Sequence, residues 1–173
     1  VWASSGWVAL SSVSVSTQGS AGFFEAGLRL SSWSAVSHST VAAPDAHALH
    51  LAADAHHVTV SFSTFSAVRN GKSAVYLQGA SSNTFSHVVA TSIAGNGAVV
   101  AAGGLNNVFA DSRLETGGNA YGLAFQSVSS NTVTRSFVTA ANGYGLYLQG
   151  GSGHTVSFST VTEAAISLYV NGS

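Results

Sequence analysis

Apolar residues in this chain come in pairs separated by one residue, and the phrase that carries them is repeated. From Tyr144 the chain reads YGLYLQGGSGHTVSFSTVTEA, from Tyr121 YGLAFQSVSSNTVTRSFVTA, and from Ala74 AVYLQGASSNTFSHVVATSIA. The hydrophobic residue after each Asn-Thr or His-Thr pair defines a column: Val13, Val36, Val60, Phe85, Phe109, Val133 and Val156, at steps of 23 to 25. Five residues on lies a second column, Gln18, Val41, Phe65, Ala90, Leu114, Val138 and Val161. The alternating pairs are Val8/Leu10, Leu28/Leu30, Leu49/Leu51, Val75/Leu77, Val99/Ala101, Leu123/Phe125 and Leu146/Leu148.

Alternation with period 2 in such short pieces predicts strands, and no 3.6-residue pattern persists. A repeat of this length identifies a stacked architecture. Each copy supplies three short strands, separated by turns rich in Gly, Ser and Asn. Successive copies pair in parallel about 4.8 Å apart, and a one-residue slip would turn each apolar set outward. The predicted fold is all-β: a single right-handed parallel β-helix domain over residues 1–173, of about seven coils and roughly 34 Å long. Three residues beyond the first column runs Ser16, Ser39, Ser63, Val88, Ser112, Ser136, Ser159, read as a hydroxyl ladder at a turn and broken at Val88.

Composition narrows the picture. Apolar residues make up 46% but charged residues only 6%, so Ser, Thr, Asn and Gly must keep the surface wet. No apolar run approaches the ~20 residues of a membrane span. The net charge of −1 and the lack of a basic run exclude phosphate-driven nucleic-acid binding. There is no Cys, hence no disulfide or thiolate metal site, which fits a secreted, cell-surface chain. The chain begins at Val1 and contains no Met, as expected of a processed chain or a segment of a longer β-helix.

The phrases G-L-x-L, S-x-N-T-V and S-x-V-T resemble the repeat of secreted carbohydrate-active β-helix proteins and of periplasmic copper-maturation β-helix proteins. The resemblance runs from about Val8 to Val170. That family usually carries Asn where this chain has its serine ladder. It includes lyases, hydrolases, adhesins, tailspikes and binding scaffolds, so the resemblance implies the fold and leaves function open.

The outward positions of the alternating strand read Ala9, Arg29, His50, Tyr76, Val100, Ala124 and Tyr147, with no carboxylate among them. Lyases of this architecture need carboxylates for Ca²⁺ and a base, and hydrolases need a carboxyl pair. The chain has only 6 acids, so no catalytic residue is assigned. His87, Asp111 and Arg135 are each 24 apart and should stack, as an exposed ionic ladder rather than a proton-transfer pair. The stretch DAHALHLAADAHH, 45 to 57, lacks a third ligand beside either close His pair and reads as a solvated turn, with no metal and no cofactor expected. Tyr76, Tyr147 and Tyr169 form an interrupted sugar-stacking strip, with His50 and Arg29 also facing a ligand. Thr17, Thr40, Thr64 and Thr160 form an interrupted Thr row. Asn171-Gly172-Ser173 matches a glycosylation acceptor.

Three functions follow. In order they are a non-catalytic structural subunit of an extracellular assembly, a polysaccharide-binding or adhesive module, and a carbohydrate-active enzyme. The lead reading rests on two apolar, strand-like ends without a Pro, a Lys-rich edge or a capping helix. Trp2, Trp7, Val8, Leu168, Tyr169 and Val170, the last three opening an eighth turn, would join copies head to tail into a filament.

Overall fold

The structure, a computed structural model, describes residues 7–17, 26–162 and 165–172. Among them are 21 strands and no helix, in three parallel sheets of seven. Sheet 1 holds Ala9–Ser11, Ala35–Ser37, Thr59–Ser61, Thr84–Ser86, Val108–Ala110, Thr132–Thr134 and Thr155–Ser157. Sheet 2 holds Ser14–Ser16, Thr40–Ala43, Thr64–Ala67, Val89–Ser92, Arg113–Thr116, Phe137–Ala140 and Thr160–Thr162. Sheet 3 holds Ala26–Leu30, His47–Leu51, Val75–Gln78, Ala98–Ala101, Tyr121–Gln126, Tyr144–Gln149 and Ile166–Asn171. Each strand pairs only with its counterparts one coil before and after, which is the predicted parallel β-helix.

The core is the set of predicted columns. Val36, Val60, Phe85, Phe109 and Val133 lie side by side in sheet 1 and are buried. The Phe85 and Phe109 rings stack with centroids 4.7 Å apart. Val41, Phe65, Ala90, Leu114 and Val138 do the same in sheet 2, and Leu28, Leu49, Val75, Ala98, Leu123 and Leu146 in sheet 3.

Four expectations shift. In the first coil Leu10, not Val13, lies beside Val36, and Val15, not Gln18, lies beside Val41. Gln18 is outside the described residues. The step here is 26, so a uniform 23-to-25 alignment misplaces that coil, including Ser16 and Thr17. Val8 and Leu10 consequently do not belong to sheet 3, and Ala9 lies beside Ala35 in sheet 1. In the fourth strand of sheet 3 the inward pair is Ala98 and Val100, while Val99 lies beside Tyr76 on the outer face. Connections lengthen and shorten by one or two residues around the coil, and at period 2 a single residue inverts a strand. Leu168 to Val170 are not the start of an eighth turn but lie in the seventh strand of sheet 3. Val156, predicted to be buried with its column, is on the last rung and 42% exposed.

Side chains stitch two of the corners. Between sheets 1 and 2 the serine ladder forms: the N–H of Val13, Ser39, Val88, Ser112 and Ser136 donates to Oγ of Ser39, Ser63, Ser112, Ser136 and Ser159, each at 3.1 Å. Val88 breaks it as predicted, because valine offers the Ser63 N–H no acceptor. Between sheets 3 and 1 stands a second ladder that the serine reading overlooked. Oδ1 of Asn83, Asn107 and Asn131 accepts from the N–H of Val58, Asn83 and Asn107 at 2.8, 3.1 and 2.8 Å. Their amide nitrogens donate back to Ala55, Ala80 and Gly104 carbonyls at 2.9 to 3.1 Å. His154 closes the row, its Nδ1 3.3 Å from the Asn131 N–H. All three asparagines are fully buried.

Asn107→Ala should therefore cost about 2–4 kcal/mol, because it strands the Asn83 N–H and the Ala80 carbonyl in the interior. Urea unfolding measures this, and a loss below about 0.5 kcal/mol would show that the ladder adds nothing.

Candidate functional site

The outer face of sheet 3 carries one row of seven side chains: Arg29, His50, Tyr76, Val99, Ala124, Tyr147 and Tyr169. The strands starting at Tyr121 and Tyr144 are six residues long, which adds two tyrosines the alternating-pair reading omitted. The Tyr121 and Tyr147 rings stack at 4.5 Å and those of Tyr147 and Tyr169 at 5.0 Å, the latter inclined by 3°. Tyr144 sits edge-on to Tyr147 and Tyr169. Tyr147 and Tyr169 are register partners one strand spacing apart, whereas Tyr121 pairs with Tyr144 and meets the Tyr147 ring diagonally. Both faces of Tyr147 are thus taken by neighbouring tyrosines. What the strip offers a ligand is ring edges and hydroxyls rather than open ring faces. Burial and its tyrosine neighbours push the Tyr121 hydroxyl above its ordinary pKa.

Nearer the N-terminus the same face holds His47, His50 and Tyr76. His47 stacks on Tyr76 at 4.5 Å, and His50 is tilted against it at 5.2 Å. The 45–57 stretch is therefore not one solvated turn. His47–Leu51 is a strand with His50 buried, and only the segments around Asp45 and Asp54 are turns. His57 lies on the next corner, stacked on Trp33 at 4.3 Å. Among the described residues no three His, Asp or Glu side chains are placed to hold a metal ion.

Beside His47 opens a groove of about 320 Å³, lined by Lys72, Ser73, Tyr76, Gln78, Asn96, Val99 and Gln126 among others. The Ser73 N–H donates to His47 Nδ1 at 2.9 Å, which leaves the ring proton on Nε2. Burial, then the Lys72 charge and His50, pushes the His47 pKa down to about 4, so the ring is neutral at ordinary pH. Asn96 holds the wall: Nδ2 donates to Ser73 Oγ at 3.2 Å, and Oδ1 accepts from the Tyr121 N–H at 3.1 Å. Lys72 is the chain's one lysine and lies in the connection between Ala67 and Val75. That singularity, and the Gln that follows the apolar pairs ending at Leu77 and Phe125, were the available sequence signals for this groove.

His87, Asp111 and Arg135 lie on one corner in successive coils. Arg135 grips Asp111 with two hydrogen bonds, Nε to Oδ1 at 2.8 Å and Nη2 to Oδ2 at 2.9 Å. This clamp, with His87 contributing, holds the Asp111 carboxyl below its ordinary pKa. Every rung has a left-handed residue at this corner: Ser12, His38, Phe62, His87, Asp111, Arg135 and Phe158, with φ between 47° and 56°. The corner thus throws each side chain outward. Phe62 stacks between His38 and His87 at 5.1 and 4.5 Å.

The family described as right handed beta helix region matches residues 26–173. The chain belongs to that family. No curated protein and no solved structure matches it. The remaining described acid with a partner in this β-helix, Glu115, pairs with Arg113 at 2.5 Å on sheet 2. Asp45 and Asp54 sit in turns, so none of these carboxyls lies on the outer face of sheet 3.

At the last rung of the β-helix, Val156, Leu168 and Val170 are 42%, 55% and 63% exposed, and Phe158 is 88% exposed. Tyr169 caps the tyrosine stack. At the first rung Leu10 and Val15 pack on the core only in part, while Trp7 is exposed. Val8 belongs to the asparagine-ladder corner, where its N–H donates to Ser34 Oγ at 3.2 Å. Trp2 lies outside the described residues.

The neutral state of His47 carries a pH signature. Its folded pKa of about 4 is below the ordinary 6.5, so the unfolded chain binds this proton first as pH falls. The contribution is fully present above pH 6.5, and up to about 3 kcal/mol is lost as pH falls toward 4. Urea unfolding of the protein and of His47→Gln across that range measures it. The variant should show a shallower slope, and parallel curves would contradict the assignment.

Proposed function

We propose that this β-helix protein is a non-catalytic structural subunit of an extracellular assembly, in which coils of successive copies stack end to end. The observation that carries the reading is the open last rung. Its edge strands in sheets 1 and 3 present Val156, Leu168 and Val170 in the same columns that begin with Leu10, Leu28 and Leu30. A second copy continuing the register would set Leu10 on Val156, Val15 on Val161, Leu28 on Leu168 and Leu30 on Val170. Arg29, which heads the row that Tyr169 ends, would then stand over that ring as a cation–π partner. The joint tolerates its own chemistry. An incoming coil would bring Val8 and Val13 into the two ladder columns, and valine already occupies those columns at Val58 and Val88 inside the molecule. With 6% charged residues, little repulsion keeps copies apart.

The polysaccharide-binding reading draws support from the His47–Lys72 groove, but the tyrosine faces it needed are turned to one another. A heterologous joint of this kind does not close, so it makes unbranched filaments. Electron microscopy and sedimentation of the purified protein should show them, with strands across the filament axis. Val170→Lys, at an exposed site, should abolish growth while leaving the coils folded by circular dichroism. A monodisperse monomer of the parent protein at high concentration would refute the reading.

A further inference from the structure

From the groove beside His47 we infer a binding site for a carboxylate group, held between Lys72 and His47 on the outer face of sheet 3. Four observations converge on it. The groove of about 320 Å³ is open to solvent and lined by one full cation, Lys72, with no carboxyl among its lining residues. His47 cannot serve as an acceptor there, since Nδ1 is already occupied by the Ser73 N–H at 2.9 Å. Its remaining ring nitrogen is a donor, so the ring contributes a second N–H without a second full charge. Asn96 fixes that geometry from the next coil through Ser73 Oγ and the Tyr121 N–H. Tyr76 braces the imidazole face at 4.5 Å, which prevents it from swinging out of the wall.

A lysine ammonium beside a neutral N–H donor matches the two oxygens of one carboxylate. It disfavours a cation, which would meet the Lys72 charge. The Gln78 and Gln126 amides, further along the groove, suit the hydroxyls of whatever carries the carboxylate. That carrier is a sugar acid or a small organic acid, the carboxylate being common to both. The site is independent of end-to-end stacking, because no groove residue lies on the last rung.

The test is titration of the full-length protein with acetate, glucuronate and glucose, followed by amide and histidine ring NMR signals and by calorimetry. Acetate and glucuronate should shift the signals of His47, Lys72 and Ser73, and glucose should not. Affinity for glucuronate about tenfold above that for acetate identifies a sugar acid, and equal affinities identify a small organic acid. Lys72→Ala should weaken carboxylate binding about tenfold with an unchanged thermal midpoint, while Lys72→Arg should retain it. Absence of shifts with either carboxylate at millimolar concentration, equal shifts with glucose, or full binding by Lys72→Ala would overturn the inference. Filament formation is followed in the same Lys72→Ala sample, so failure of this site and failure of the assembly reading are told apart.

Discussion

Each coil of this molecule must turn three times, and at two of those turns a backbone N–H points at the coil above rather than at water. What satisfies it is a buried side chain from that coil: a serine at one corner and an asparagine at the other. The asparagines also return a hydrogen bond to the coil below, so each links three rungs. An unsatisfied N–H in that position would cost about 1–3 kcal/mol, repeated at every coil. The columns of Val, Leu and Phe supply the bulk of the burial. The ladders decide which residue of each coil sits above which, and everything displayed on the outer surface inherits that register.

Register explains the surface features. Side chains in adjacent coils stand one strand spacing apart, so like residues stack: tyrosines on sheet 3, Phe62 between two histidines, Arg135 over Asp111. Stacking consumes ring faces along the coil axis and leaves them free only where a stack ends. Tyr169 is such an end, and it coincides with the exposed Leu168 and Val170. That coincidence gathers exposed apolar and aromatic side chains on the last described rung. The His47 groove arises differently, from a longer connection that brings Lys72 beside His47 of the coil below.

The repeat was legible because its core positions obey two simple constraints, period 2 within a strand and a near-constant step between coils. The same constancy misled where connections change length. Leu10 rather than Val13 tops the first column, and Val99 rather than Val100 faces out. A step count cannot detect a residue lost from one corner and regained at the next. The asparagine ladder was on display as a repeated Asn before Thr or Val, yet it served as an alignment mark. Nothing local shows that the side chain points inward. The groove was least legible, since His47, Lys72, Asn96 and Gln126 come from four different coils and no linear motif joins them.

The ladders set the register, and amide hydrogen exchange tests that most directly. The Asn83, Asn107 and Ser112 N–H groups each have a side-chain acceptor in the coil above. The Ser34 and Ser63 N–H groups face valines at 58 and 88, the equivalent positions without an acceptor. The first three should exchange only with global unfolding, and the last two about tenfold faster through local opening. Equal protection at Ser63 and Ser112 would contradict the account.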